Sequence, residues 1–314
     1  MGLGQRTSLK PVRTASGEHR IGLITPHLWF DTQAREAAQF YTETFPNSRI
    51  VSMTTIHDTP SGSADIVTAE IWDQRFLLLN AGPYFTFNPS VSFIVRCTSA
   101  SEVDGFWERL SAGGTPLMEL GSYPFSDRYG WIQDRYGLSW QVIQTRQSFG
   151  RQRIVPSMMF VGNLCGRAEE AMTFYTTGFP DSGIGDVARY GAGAEPDREG
   201  TIMHAEFSLA GQTFAVMDSA HEHKFAFNEA ISFLVNCDDQ EEIDYYWNKL
   251  SADPKAEQCG WLKDRFGLSW QVSPSAMDRM LATGDEAAVR RVTQAFLKMK
   301  KFDIAALERA YEGT

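Results

Sequence analysis

Short apolar runs and amphipathic stretches follow one another down the chain in a fixed order. Residues 21–30, IGLITPHLWF, read as a strand in which Pro26 suggests an edge or a bulge. In AREAAQFYTETF, Ala34, Ala37, Ala38 and Tyr41 recur at helical spacing, with Asp31 or Thr32 placed to cap and Pro46-Asn47-Ser48 to stop the helix. Strand patterns follow at 49–56, 65–72 and 75–80, joined by polar turns. The order then restarts. VSFIVRC (91–97) is a strand, and SEVDGFWERLSAGG a helix with Val103, Phe106, Trp107 and Leu110 on one face. Strand signals return around 115–120, 129–133 and 138–143.

From Ile154 the second half repeats the first. IVPSMMF matches ITPHLWF, AEEAMTFYTTGFPDSGI matches AREAAQFYTETFPNSRI, AISFLVNC matches SVSFIVRC, and IDYYWNKLSA matches VDGFWERLSA. The closest pair is GWIQDRYGLSWQV (130–142) and GWLKDRFGLSWQV (260–272), which differ only at Ile132/Leu262, Gln133/Lys263 and Tyr136/Phe266. The second copy is longer at its first strand–helix link and around Gly191–Gly200. It is shorter before Gly260, where TPLMELGSYPFSDRY has almost no counterpart. Beyond Ser273 nothing repeats. There DEAAVRRVTQAFLKMKK, with Asp285 as its cap, and FDIAALERAYEG read as two helices packing against the barrel.

Paired strand–helix–three-strand modules, the FYTETF and FYTTGF helices and the GLSWQV strands together resemble the vicinal-oxygen-chelate superfamily, which includes glyoxalase I, extradiol dioxygenases and bleomycin-resistance proteins. Within it the match is to the PhnB-like group, whose domain is labelled 3-demethylubiquinone-9 3-methyltransferase; ITPHLWF, AEEAMTFY, GTIMHAEF, AISFLVNC, YYWNKLSA and CGWLKDRFGLSWQV carry it. The fold this implies is α+β: tandem glyoxalase-like barrels built from paired βαβββ modules, plus a C-terminal helical extension. The corresponding division is a flexible arm at 1–20, domains at 21–146 and 154–275, and the extension at 276–314. In many relatives the barrel pair forms by dimerisation, so the tandem chain is expected to be an intramolecular pseudo-dimer, which leaves room for a further homodimer of the whole chain.

Metal-using members of the superfamily place ligands on the first strands of two partner modules and a glutamate on a last strand. Mapped within each repeat, these positions are His27, Ser92 and Gln141, then Ser157, Ser232 and Gln271. Only His27 is a conventional ligand, so the resemblance leaves an incomplete metal set and no assigned cofactor. His204 with Glu206, and Asp218 with His221 and His223, are further incomplete clusters. The methyltransferase label meets a difficulty of its own, because the one glycine-rich stretch, GAGAEP (191–196), joins two strands rather than a strand and a helix.

By repeat position, Trp29, Glu70, Phe93, Trp140 and Gln141 would line a first pocket and Met159, Glu206, Phe233, Trp270 and Gln271 a second, although period two leaves open which face points inward. Glu70 and Glu206, if buried unpaired, would be general bases. Arg135 and Arg265, beside Asp134 and Asp264, are the alternative as partners in ion pairs. Three functions fit: a metal-free binding protein for a small molecule, an enzyme (metal-assisted lyase, dioxygenase or methyltransferase), or an assembly module. A net charge of -10 argues against nucleic acid and anionic membranes, and no apolar run approaches the ~18 residues a span requires. Four cysteines without paired spacing fit a reduced, cytoplasmic protein.

Overall fold

The computed structural model describes residues 23–146 and 150–314; the expected arm at 1–20 lies outside them. In chain order the first half forms β1 (Ile24–Phe30), α1 (Ala34–Thr44), β2 (Arg49–Thr59), β3 (Gly62–Ile71), β4 (Gln74–Asn80), β5 (Val91–Cys97), α2 (Ala100–Ser111), β6 (Thr115–Tyr123), β7 (Ser126–Gln133) and β8 (Ser139–Gln144). The second half repeats the order as β9 (Ile154–Val161), α3 (Ala168–Thr176), β10 (Gly183–Arg189), β11 (Ile202–Leu209), β12 (Gln212–Ser219), β13 (Ile231–Cys237), α4 (Gln240–Leu250), β14 (Trp261–Lys263) and β15 (Ser269–Pro274). The repeated modules are therefore present, and β2, β3, β6 and β7 run two or three residues longer than the hydrophobic pattern indicates, while β5 coincides with it. The β-α-β-β-β units make an α+β architecture.

The sheets do not follow the repeats. One sheet has the order β14-β15-β13-β1-β4-β3-β2 and the other β10-β11-β12-β9-β5-β8-β7-β6. Each joins the first module of one repeat to the second module of the other. The junctions are antiparallel: β1 on β13, with His27 opposite Ser232, and β5 on β9, with Ser92 opposite Ser157. The connecting bonds obey the same pseudo-two-fold relation, with Trp29 N–H donating to Ala230 O and Met159 N–H to Ser90 O. Pro26 consequently lies in a central strand, not at an edge. Its missing N–H is tolerated because the β4 ladder begins one residue later, at His27, just as the β12 ladder begins after Pro156, at Ser157.

One continuous core fills the space behind the two sheets. There Phe76 of β4 meets Phe93 of β5, and Phe214 of β12 meets Phe233 of β13. Two buried carboxylates lock it. Asp134 Oδ2 accepts from Tyr41 Oη of α1 and Trp140 Nε1, both at 2.8 Å, while Oδ1 accepts from the Tyr136 and Leu138 N–H groups. Asp264 does the same with Tyr175 (2.6 Å), Trp270 (2.9 Å) and the Phe266 and Leu268 N–H groups. Burial raises both carboxyls above their ordinary range against the pull of these donors. Gly137 and Gly267, at φ +85° and +78°, supply the left-handed turn residue that lets the chain fold around each carboxylate. Arg135 and Arg265 do not pair with these aspartates; their guanidinium groups lie 4.5 Å from the rings of Phe40 and Phe174.

Helices α1 and α3 are capped from a neighbouring strand rather than by Asp31 or Thr32: Asn80 Oδ1 accepts from Ala34 N–H, and Asp218 Oδ1 from Gly166 and Ala168 N–H. The C-terminal extension contains an unforeseen short helix, α5 (Ala276–Leu281), before the expected hairpin of α6 (Glu286–Phe296) and α7 (Ile304–Glu312). Asp285 caps α6 as its position indicates. The segment without counterpart in the second half is β6 with the start of β7, which is why the sheets have seven and eight strands. At the seven-stranded sheet, α6 reaches β2 through Gln294 Nε2 to Asp58 O, while Met299 O and Lys300 O accept from Cys259 and Gly260 N–H beside β14. The extension thus touches both edges of that sheet. Cys97 and Cys237 are buried free thiols.

Three outcomes follow from this arrangement. Removing one donor in Tyr41→Phe should cost about 1.5–3 kcal/mol in urea unfolding. Asp134→Asn should cost more, because an amide N–H would then face two donors. Produced as separate chains, residues 1–149 and 150–314 should combine into a 1:1 complex on size exclusion, and two stably folded monomers would contradict the cross-repeat sheets.

Candidate functional site

Strand register divides the expected site residues between two faces. In the eight-stranded sheet Phe93 lies beside Trp140, and Ile94 beside Gln141 and opposite Val155. Phe93 and Trp140 belong to the main core, whereas Ile94, Val155 and Ala215 form a separate cluster on the opposite, concave face. By the same parity Phe233 and Trp270 face the core and are fully buried. These four aromatics are therefore not pocket walls. Trp140 and Trp270 spend their indole N–H on the buried aspartates.

The remaining positions do occupy concave faces, regrouped by the cross-repeat pairing. His27, Trp29, Glu70 and Gln271 share the seven-stranded sheet; Gln141, Met159 and Glu206 share the other. The triples mapped within each repeat accordingly become His27–Ser232–Gln271 and Ser157–Ser92–Gln141. A repeat cannot assemble its own triple because β1 pairs with β13 and β9 with β5.

In the His27 group, Gln271 Nε2 donates to Ser232 Oγ at 3.0 Å. His27 is completely buried, which drives its pKa down to about 3, and its Nδ1 has no hydrogen-bond partner among the described residues. The imidazole therefore stays neutral at physiological pH. Its ring meets Trp261 edge-on at 5.2 Å, and Trp261 in turn meets Trp29 at 5.8 Å. Phe85 adds a further edge contact to Trp29, whose own N–H is spent on Gly82 O. In the twin group Gln141 Nε2 donates to Ser92 Oγ, and its Oε1 accepts from Tyr129 Oη. Cys259 stands where Tyr129 would in the other copy, so Gln271 Oε1 has no such donor among the described residues.

Neither acid is an unpaired base. Glu70 lies 2.8 Å from Arg49. Glu206 pairs with Arg96, and His204 first, then Arg96, hold it down at about 2 against burial. The arginines that do this come from β2 and β5, not from the repeated turns.

A divalent ion does not fit the His27 group. One imidazole, one hydroxyl already accepting from an amide, and that amide make a poor donor set, and the carboxylate on the same sheet is held by Arg49. Among the described residues no group of three or more His, Cys, Asp or Glu side chains is placed to hold a metal. A nucleotide-type cofactor finds no open helix end at the glycine-bearing link before α3 either, because the Asp218 carboxylate already takes those N–H groups. The Gly191–Gly200 stretch joins β10 to β11 as a hairpin.

Trp261 and its twin Trp131 were not among the residues singled out from sequence, although both stand in the repeated motif. Their alternation against the core residues Leu262 and Ile132 was the available signal.

The curved sheets built from paired β-α-β-β-β units have the glyoxalase fold. A glyoxalase I variant from Zea mays aligns with 82% of this chain and 97% of its own at a TM-score of 0.50, with 12% identity. The family model described as 3-demethylubiquinone-9 3-methyltransferase matches residues 23–143 and again 152–273, so the chain belongs to this PhnB-like family as a tandem member. The PhnB protein of Bacillus cereus is 36% identical over 38% of this chain and 98% of its own, with a TM-score of 0.36. A comparison with curated proteins returns no match. Among the described residues no helix is long and apolar enough to cross a membrane.

A neutral, buried His27 should show imidazole nitrogen shifts that do not change between pH 7 and pH 4.5. The unfolded state takes up a proton near 6.5 that the folded state refuses until about 3, so His27 lowers stability as pH falls through that interval. His27→Gln should flatten this part of the stability profile. An imidazole titrating near pH 6.5 in the folded protein would overturn the assignment.

Proposed function

We propose that the chain is a binding protein, an intramolecular pseudo-dimer whose seven-stranded sheet receives a small, neutral, flat organic molecule carrying a hydroxyl group. The observation that carries this reading is the fully buried, neutral His27 with an unpaired Nδ1, set among Trp29, Trp261 and Phe85. An unsatisfied polar atom in such surroundings costs about 1–3 kcal/mol, and a ligand that completes it recovers that amount. A hydroxyl suits either tautomer of the ring, because it donates and accepts, and Gln271 Oε1 offers a second acceptor. Aromatic walls favour a planar body, and the cations Arg49 and Lys263 on this face are already taken by Glu70 and Glu229, which disfavours a carboxylate.

The family description supports the same ligand class, since a demethylated ubiquinone presents a hydroxyl on a flat ring. Methyl transfer itself is the second reading, and the family description alone favours it. It predicts heat on titration with S-adenosylmethionine, which the binding reading does not.

Phenol, toluene and benzoate separate the contributions in calorimetry. Phenol should bind most tightly, and His27→Ala should weaken it by roughly tenfold, in line with about 1.4 kcal/mol for a hydrogen bond made in a buried site. Equal affinities for phenol and toluene, or a preference for benzoate, would remove the basis of the reading.

A further inference from the structure

The duplication supplies an internal control for one side chain. Trp131 and Trp261 occupy the same register in their sheets, opposite Gln141 and Gln271. In both, a serine follows at the same strand position, Ser139 opposite Gln133 and Ser269 opposite Lys263. In the eight-stranded sheet Trp131 Nε1 donates to Ser139 Oγ at 2.7 Å. In the seven-stranded sheet this bond is not made. The Trp261 ring instead lies against His27 and Trp29, and Ser269 Oγ is buried without a hydrogen-bond partner among the described residues. Two buried polar atoms, His27 Nδ1 and Ser269 Oγ, are thus left unsatisfied beside one misplaced indole.

The geometry points to Trp261 as a gate: its indole occupies the place of the ligand's ring over His27, and its alternative seat is the Ser269 hydroxyl, as Trp131 already shows on Ser139. When the indole swings to Ser269, the N–H satisfies that hydroxyl and the space beside His27 opens to a flat ring of similar size carrying a hydroxyl. One movement then relieves both unpaired atoms, Ser269 Oγ by the protein itself and His27 Nδ1 by the ligand. The two sheets differ where this requires it. Trp261 sits in a three-residue edge strand, and the outer strand that covers Trp131, β6, has no counterpart there. The position of His27 is Ser157 in the twin, which gives Trp131 no ring to stack on.

The ligand class rests on the binding reading above, but the movement does not need a ligand to be seen. Indole N–H resonances can be assigned by their loss in Trp261→Phe and Trp131→Phe. In His27→Ser, which copies the twin, the Trp261 resonance should shift toward the hydrogen-bonded position of Trp131. Saturating phenol should do the same in the unmodified protein. Ser269→Ala should abolish both shifts, lower phenol affinity roughly three- to tenfold for the lost hydrogen bond, and raise the melting temperature by removing an unpaired buried hydroxyl. Ser139→Ala should lower the melting temperature. A Trp261 resonance unmoved in His27→Ser, or a Ser269→Ala variant destabilised as Ser139→Ala is, would overturn the gate. If phenol fails to bind while His27→Ser still moves the indole, the ligand reading falls and the gate stands.

Discussion

Two carboxylates carry the architecture. A buried, unpaired Asp would be among the most costly groups a core could hold, and Asp134 and Asp264 are tolerable only because four donors converge on each. Those donors explain why thirteen residues persist almost unchanged in both halves. The aspartate accepts, the glycine three residues on turns the chain, and the tryptophan six residues on brings its indole N–H back. The tyrosine of α1 or α3 completes the set from a helix that packs on the other sheet. Within a repeat, then, the two modules are tied together through the core, by a polar bond at its centre.

Between repeats the tie is the β-sheet. The duplication was legible from the first strand onward, because five matching segments keep the same order. Which strand pairs with which was not. Two near-identical modules satisfy any hydrophobic pattern equally well within a repeat or across it, and only the length and direction of the connections decide. The chain solves this by antiparallel pairing of β1 with β13 and of β5 with β9, so every concave face draws residues from both halves. Mapping site residues repeat by repeat therefore combined positions that the sheets keep apart.

The face of each strand was equally hidden, for a different reason. Alternation reveals a strand's orientation when one side meets water. Here β5 and β9 are buried at every position, with a helix-packed core behind and a filled concavity in front. Phe93, Trp140, Phe233 and Trp270 are large and apolar on the core side; Ile94 and Leu234 are apolar on the other. Hydropathy cannot rank them. The partner of Glu206 escaped for a related reason, since Arg96 and Glu206 are 110 residues apart and meet only because their strands share a sheet across the repeat boundary.

Once the pairing is known, the difference between the twin faces becomes the informative quantity. Both keep a serine on the junction strand and a glutamine on the last strand, joined by the same amide-to-hydroxyl bond. Around that shared bond the eight-stranded face closes two further polar groups: Tyr129 takes Gln141 Oε1, and Trp131 takes Ser139. The seven-stranded face has lost the tyrosine to Cys259, the outer strand to the C-terminal helices, and the indole bond to His27. Relaxing all three at once leaves unpaired polar atoms in one small region, a cost that a structure maintained for packing alone has no reason to carry. The asymmetry is therefore the ground on which ligand recognition is proposed for the less complete face, with the other as its structural counterpart.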